Sequence, residues 1–193
     1  MIGASKAKVI AGLTQFLAGA ALGFAGAPPA KAPVLPEAIR PPDGAVLLFR
    51  VRAEGYQVYQ CKARPDNASE FVWALKGPDA VLYNDRGEKI GTHYAGPSWE
   101  AADGSKVRAA VKASHKGPDA SAIPWLLLTV TAHEGKGQFA GVKYIARVDT
   151  WAGRAPTTGC TRADVGKEVR VKYQATYLFY GDKAQEKRRG PRE

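Results

Sequence analysis

Val169-Arg170-Val171-Lys172-Tyr173-Gln174-Ala175-Thr176-Tyr177-Leu178-Phe179 alternates apolar and polar residues along nearly its whole length. Val169, Val171, Tyr173, Ala175, Tyr177 and Phe179 fall on one face; Arg170, Lys172, Gln174 and Thr176 fall on the other. A period of two is the pattern of a strand with one face in a core and one in solvent, whereas a helix would scatter the same residues around its circumference. The stretch is long for a strand, so it predicts a long strand near the centre of a β-rich domain.

The same period recurs on the N-terminal side. Leu47, Phe49, Val51 and Ala53 alternate with Leu48, Arg50 and Arg52, and Glu54-Gly55 then suits a tight turn into a second extended piece at 56–62. Phe71, Trp73 and Leu75 alternate until Gly77-Pro78-Asp79, which reads as a break before the extended residues 81–83. Asn84-Asp85-Arg86-Gly87 carries turn chemistry, and Ile90 begins the next piece. Val107, Ala109, Val111 and Ala113 oppose Lys106, Arg108 and Lys112. Residues 123–130 are apolar almost throughout and read as a strand buried on both faces, although periodicity alone leaves a short helix open. After a turn at Glu134-Gly135-Lys136-Gly137, Ala140, Val142, Tyr144, Ala146 and Val148 oppose Lys143, Arg147 and Asp149. Together these segments predict an all-β fold, a single antiparallel β-sandwich or barrel-like domain of about nine or ten strands.

The ends of the chain are different in kind. Lys6 and Lys8 precede an apolar run over 9–26 rich in Ala, Gly and Leu, with small residues after it. That is the pattern of a secretory signal peptide, placed at 1–32 with cleavage in 25–32; a retained membrane anchor is the alternative. Pro28, Pro29, Pro33, Pro36, Pro41 and Pro42 predict an extended, solvated linker over 33–42. The β-rich domain is placed at 43–182 and a basic polar tail at 183–193. The formal net charge of +10 is mostly terminal: +3 lies in residues 1–32, +3 in the tail, and only +4 in residues 33–182. The fold itself has no strongly basic face, so no nucleic-acid partner is expected. The expected compartment is extracytoplasmic, periplasmic or secreted, with no stable membrane insertion after cleavage and a small-molecule or cell-surface ligand as the partner.

Cys61 and Cys160 are the two cysteines. An even count in an exported chain predicts one disulfide, two separate buried thiols being the alternative. With no Cys-X-X-Cys, redox catalysis and a structural zinc site have no support.

Chemistry concentrates in Thr92-His93-Tyr94-Ala95-Gly96-Pro97-Ser98-Trp99-Glu100 and the following Asp103-Gly104-Ser105. A polar, aromatic, irregular stretch carried by regular strands is a favoured place for binding or catalysis. The ligand-binding candidates are His93, Tyr94, Trp99, Glu100 and Asp103, with Trp151 and Arg154 in a second irregular stretch. Aromatic faces with orienting polar groups suit sugar-like or aromatic small molecules. Of these, His93 is expected to be functional and Trp99 mainly structural. The competing reading is a cofactor-independent enzyme in which His93 acts as base, oriented by Asp103 or Glu100, with Ser98 and Ser105 nearby. No Gly-X-Ser-X-Gly elbow supports it. His93, His115 and His133 are too widely spaced to predict a metal site. Gly135-Lys136-Gly137 joins two strands with no helix after it, so no nucleotide cofactor is expected. Asn67-Ala68-Ser69 fits the N-glycosylation pattern and marks an exposed loop.

A set of motifs runs through the chain in a fixed order. They include Trp73 with Gly77-Pro78-Asp79-Ala80, the stretch from His93 to Glu100, Asp103-Gly104-Ser105 and Ile123-Pro124-Trp125-Leu126-Leu127. Tyr144-Ile145-Ala146-Arg147-Val148-Asp149-Thr150, Ala155-Pro156, Gly159-Cys160 and Tyr173-Gln174-Ala175-Thr176-Tyr177-Leu178-Phe179-Tyr180 complete the set. In these motifs, over roughly residues 43–181, the chain resembles the secreted bacterial and fungal family known as domain of unknown function 3455. The resemblance implies an extracytoplasmic β-rich domain and supplies no established activity or catalytic residue. Some fungal relatives carry a malate dehydrogenase label. This chain lacks the strand, glycine-rich turn and helix that a nicotinamide cofactor needs.

Overall fold

The structure, a computed structural model, describes Met1 and residues 34–184. The expected signal peptide after Met1 and nearly all of the tail lie outside the described residues. Eight antiparallel strands follow one another around a closed barrel: β1 (Val46–Ala63), β2 (Phe71–Tyr83), β3 (Lys89–Tyr94), β4 (Ser98–Ala101), β5 (Lys106–His115), β6 (Trp125–Glu134), β7 (Tyr144–Ala152) and β8 (Glu168–Gly181). Each pairs with its sequence neighbour, and β8 returns to β1 to close the ring, with Val46 opposite Gly181 and Gln60 opposite Glu168. The extended reading of residues 169–179 holds, and so does strand structure at 125–134.

The strand count is eight rather than nine or ten because two expected breaks are not breaks. Glu54-Gly55 lies inside β1, where Gly55 faces Ala80 across the ladder. A Cβ at Gly55 would run into the Asp79 carbonyl and Ala80 Cα, so the glycine serves a close approach of two strands rather than a turn. Gly77-Pro78-Asp79 lies inside β2, and the ladder shifts register between Val58 and Tyr59, opposite Gly77 and Leu75. An extra residue at that bulge absorbs the irregularity that Gly-Pro brings.

The barrel interior divides along its axis. At the end holding the start of β1 and the end of β8, Phe49, Phe179 and Phe139 stack with centroids 4.6–5.7 Å apart. Phe139 comes from the β6–β7 connection and is completely buried, filling that end. Ser105 and Asp103 hold it there. The Phe139 N–H donates to Ser105 Oγ at 3.0 Å, and the Ser105 hydroxyl donates to Asp103 Oδ1 at 2.6 Å. Asp103 Oδ2 accepts the Gln138 N–H at 2.7 Å.

A second apolar cluster lies on the outer face. Leu35 and Ile39, flanking and ending a short 3-10 turn at Glu37–Ile39, pack with Leu127, Ala146, Val148, Leu178 and Tyr180. The proline-rich stretch expected to be solvated is therefore partly a strap on the barrel wall, anchored by its two large aliphatic residues. This strap also inverts the expected faces of β7. Ala146 and Val148 are buried under it on the outside, while Ile145 and Arg147 point inward.

Cys61 and Cys160 form a disulfide that ties the end of β1 to the connection between β7 and β8. No helix among the described residues is long and apolar enough to cross a membrane.

Candidate functional site

The stretch from His93 to Glu100 is the β3–β4 hairpin, with His93 opposite Trp99, Tyr94 opposite Ser98 and Thr92 opposite Glu100. Ala95, Gly96 and Pro97 form its turn, with Gly96 in the left-handed region at φ 89°. Alternation splits the candidates between two faces. His93 and Trp99 point into the barrel and are buried. Tyr94 and Glu100 share the outer face, where the Tyr94 hydroxyl donates to Glu100 Oε2 at 2.6 Å. Lys106 lies 5.6 Å from the centre of the Tyr94 ring and 3.5 Å from Glu134, which also pairs with Arg108 at 2.8 Å. Burial, with the Glu100 hydrogen bond behind it, raises the Tyr94 phenol above its usual range. These exposed pairs are a surface network of ordinary kind.

The proposed acid–base pairing of His93 with Asp103 or Glu100 is not formed. Glu100 is on the opposite face of the sheet, and Asp103 sits in the β4–β5 turn holding the Phe139 connection. Ser105 is engaged in that same latch. His93 is instead 3% exposed and stacks on Trp99 with ring centres 4.2 Å apart. Its Nδ1–H donates to the Ser98 carbonyl at 2.8 Å, which leaves the neutral ring's acceptor at Nε2. Burial pushes the imidazole down to about 3; the Ser98 bond opposes this, and the Arg147 charge adds to it. His93 is thus a neutral interior residue rather than an exposed rim residue.

What His93 and Trp99 border is an interior cavity of about 130 Å3. β4 is only four residues long and pairs with β5 over Lys106 to Arg108, so the β5 residues beyond it face a notch in the wall. Leu75, Pro78, Pro97 and Val111 border this notch; Leu75 and Val111 are 58% and 56% exposed. Further in lie Leu126, Leu128, Gln57, Arg147 and Tyr177. Arg147 stands opposite Tyr177 across the β7–β8 ladder. Its Nε and Nη2 both donate to the Pro124 carbonyl, at 3.1 and 2.8 Å.

Two buried polar atoms on residues that line the cavity, Gln57 Nε2 and Trp99 Nε1, complete no hydrogen bond. The Tyr173 and Tyr177 hydroxyls are within hydrogen-bonding range of each other, and Tyr177 is also within range of the Arg147 guanidinium. Burial raises both phenols, so they remain protonated donors. Buried polar atoms in folded proteins are nearly always paired, and two orphans beside one cavity point to a missing partner.

Gln57, Arg147 and Tyr177 were not singled out from sequence. Tyr177 reads as an ordinary core member of an alternating strand, Gln57 as a member of an extended piece with no motif around it, and Arg147 as a solvent residue. The signal that could have found Arg147 is the unbroken apolar character of both of its flanks, Ile145-Ala146 and Val148.

Trp151 and Arg154 are not brought together. Trp151 is 55% exposed and lines a surface cleft of about 310 Å3 with Glu54, Tyr56, Tyr83, Lys172 and Gln174. Arg154 is occupied at the Ala122 carbonyl, 2.8 Å from its Nε. The β7 backbone is irregular here: Asp149 and Ala152 have φ of 48° and 54°, and the register shifts between Val148 and Trp151. Among the described residues no three His, Cys, Asp or Glu side chains come together as a metal site.

Fold and cavity define a class, the up-and-down β-barrel plugged at one end and notched into its interior near the other. The chain belongs to the family described as Protein of unknown function (DUF3455), whose model it matches over residues 41–181. No curated protein and no solved structure matches it.

Proposed function

We propose that the protein is an extracytoplasmic binding barrel that takes a small, mainly apolar molecule with one polar end into its interior cavity. The observation that carries this reading is a pair of buried donors without partners, Gln57 Nε2 and Trp99 Nε1, on residues that line a mainly apolar pocket. Apolar lining with a few convergent polar groups is the usual composition of small-molecule sites. The notch gives access on the side away from the Phe139 plug. The lining favours such a molecule over a sugar, whose hydroxyls would need partners on every side. The disulfide and the signal-peptide pattern of the N-terminal sequence support the compartment.

The test uses phenol and benzyl alcohol as probes, followed by ligand-observed NMR and thermal shift. Val111→Trp closes the notch and Leu128→Trp fills the interior; both should abolish probe binding while the barrel still folds. Binding that survives both substitutions would remove the cavity from consideration.

A surface role is a second reading, carried by Trp151. Backbone strain is usually kept where it serves a function, and here it presents an indole beside two tyrosines. Retention on insoluble polysaccharides that is lost in Trp151→Ala would favour this cleft; equal retention of both proteins would count against it.

A further inference from the structure

We infer that the polar end of the cavity ligand is a carboxylate, so that the ligand class is a short-chain or aromatic monocarboxylic acid in its anionic form. This inference rests on the reading of the cavity as a binding site and narrows it. Arg147 supplies the charge. Its guanidinium is half-buried and points into the barrel, and no carboxylate lies within ion-pair distance of it among the described residues. The Pro124 carbonyl takes two of its N–H groups, but a neutral dipole offsets a buried cation only in part.

The orphaned groups agree in sign with that charge. Gln57 Nε2 and Trp99 Nε1 are both able to donate, and neither has an acceptor. Gln57 and Tyr177, 2% and 1% exposed, both line the cavity, and Tyr177 stands directly across from Arg147. His93 is neutral and brings no competing charge. A planar guanidinium beside neutral donors is the arrangement that recognises a planar carboxylate, through charge-assisted hydrogen bonds.

The remaining lining fixes the rest of the ligand. Inorganic phosphate or sulfate would satisfy the donors but leave Leu75, Pro97, Val111, Leu126 and Leu128 facing water or a void. A cavity of about 130 Å3 is close to that of apolar protein cavities of about 150 Å3 that hold one benzene ring. The tail is therefore a single ring or a few methylenes.

The experiment is titration calorimetry with four probes: benzoate and hexanoate, and their neutral counterparts benzyl alcohol and 1-hexanol. In the unaltered protein each acid should bind at least about tenfold more tightly than its alcohol. Arg147→Met should remove that preference, weakening the acids by about tenfold or more while leaving the alcohols almost unchanged. Tyr177→Phe and Gln57→Met each delete one donor and keep most of the volume. They should weaken the acids alone, which keeps the test decisive if Arg147→Met does not fold. Equal affinity for acid and alcohol in the unaltered protein, or an acid preference that survives in Arg147→Met, overturns the carboxylate. In those cases alcohol binding that Val111→Trp blocks leaves the cavity reading standing. Failure of all four probes to bind at millimolar concentration overturns both.

Discussion

His93 shows how position can reverse the meaning of a residue type. On paper it heads the most chemically equipped stretch in the chain; in the fold it is a neutral ring stacked on an indole inside a barrel. A consequence follows for pH. The folded state keeps His93 unprotonated down to about 3, whereas in the unfolded chain it takes up a proton near 6.5. Between those values the unfolded state binds more protons, so stability falls as the pH falls, by up to about 1.4 kcal/mol per pH unit. The free energy of urea unfolding should be about 2 kcal/mol lower at pH 5 than at pH 7, and His93→Gln should lose most of that difference. An unchanged slope in the variant would show that another group carries it. Trp99 is the structural half of the stack, in contact with Tyr177 and Phe179 as well as His93. Trp99→Ala should cost about 3–5 kcal/mol, read from the denaturation midpoint. His93 shares that buried environment, so replacing it should cost stability as well.

Strands are where the sequence spoke most clearly, and also where it misled. Alternation in residues 169–179 marked the correct inner face because one side of β8 is core there and the other is charged. The same rule failed on β7. The strap's Leu35 and Ile39 cover the outer face, so Ala146 and Val148 look like core and Arg147 like surface. Nothing local reveals that a segment a hundred residues away supplies the cover. Glu54-Gly55 and Gly77-Pro78-Asp79 misled for a related reason. Glycine and proline mark a turn or a bulge with the same letters, and only the partner strand decides between them. Gly55 allows a direct check. Gly55→Val should destabilise the barrel by about 1–3 kcal/mol, because the added carbons meet backbone that cannot step aside. The same exchange at Gly87, a turn glycine with open space around it, should cost less, so the two midpoints compared in one urea series separate close packing from backbone strain. The candidate site was half legible. His93 and Trp99 were found because they sit in an unusual motif. Gln57, Arg147 and Tyr177 were not, because each belongs to a separate strand and they become one wall only when the ring closes.

At the scale of the molecule, the disulfide spans 99 residues and joins the end of β1 to the connection that leads into β8. A cross-link over so long a loop restricts the unfolded chain strongly, with an upper figure of about 4.7 kcal/mol in the chain-entropy account. The paired substitution Cys61→Ala with Cys160→Ala should lower stability by about 2–5 kcal/mol while the far-ultraviolet dichroism stays that of a β-barrel. Loss of the β signal at 25 °C would mean that the barrel does not close without the bridge.

The pairing of Val46 with Gly181 places the first and last strand ends side by side, at the end of the barrel that Phe139 fills. The notch lies toward the other end, beside the β3–β4 turn. A surface or partner domain joined to the chain just past Gly181 would therefore hold the barrel by its sealed base and leave the notch unobstructed. Under the proposed binding function, attachment and uptake would be geometrically independent in this fold, so a protein anchored there should load its cavity as fast as one free in solution.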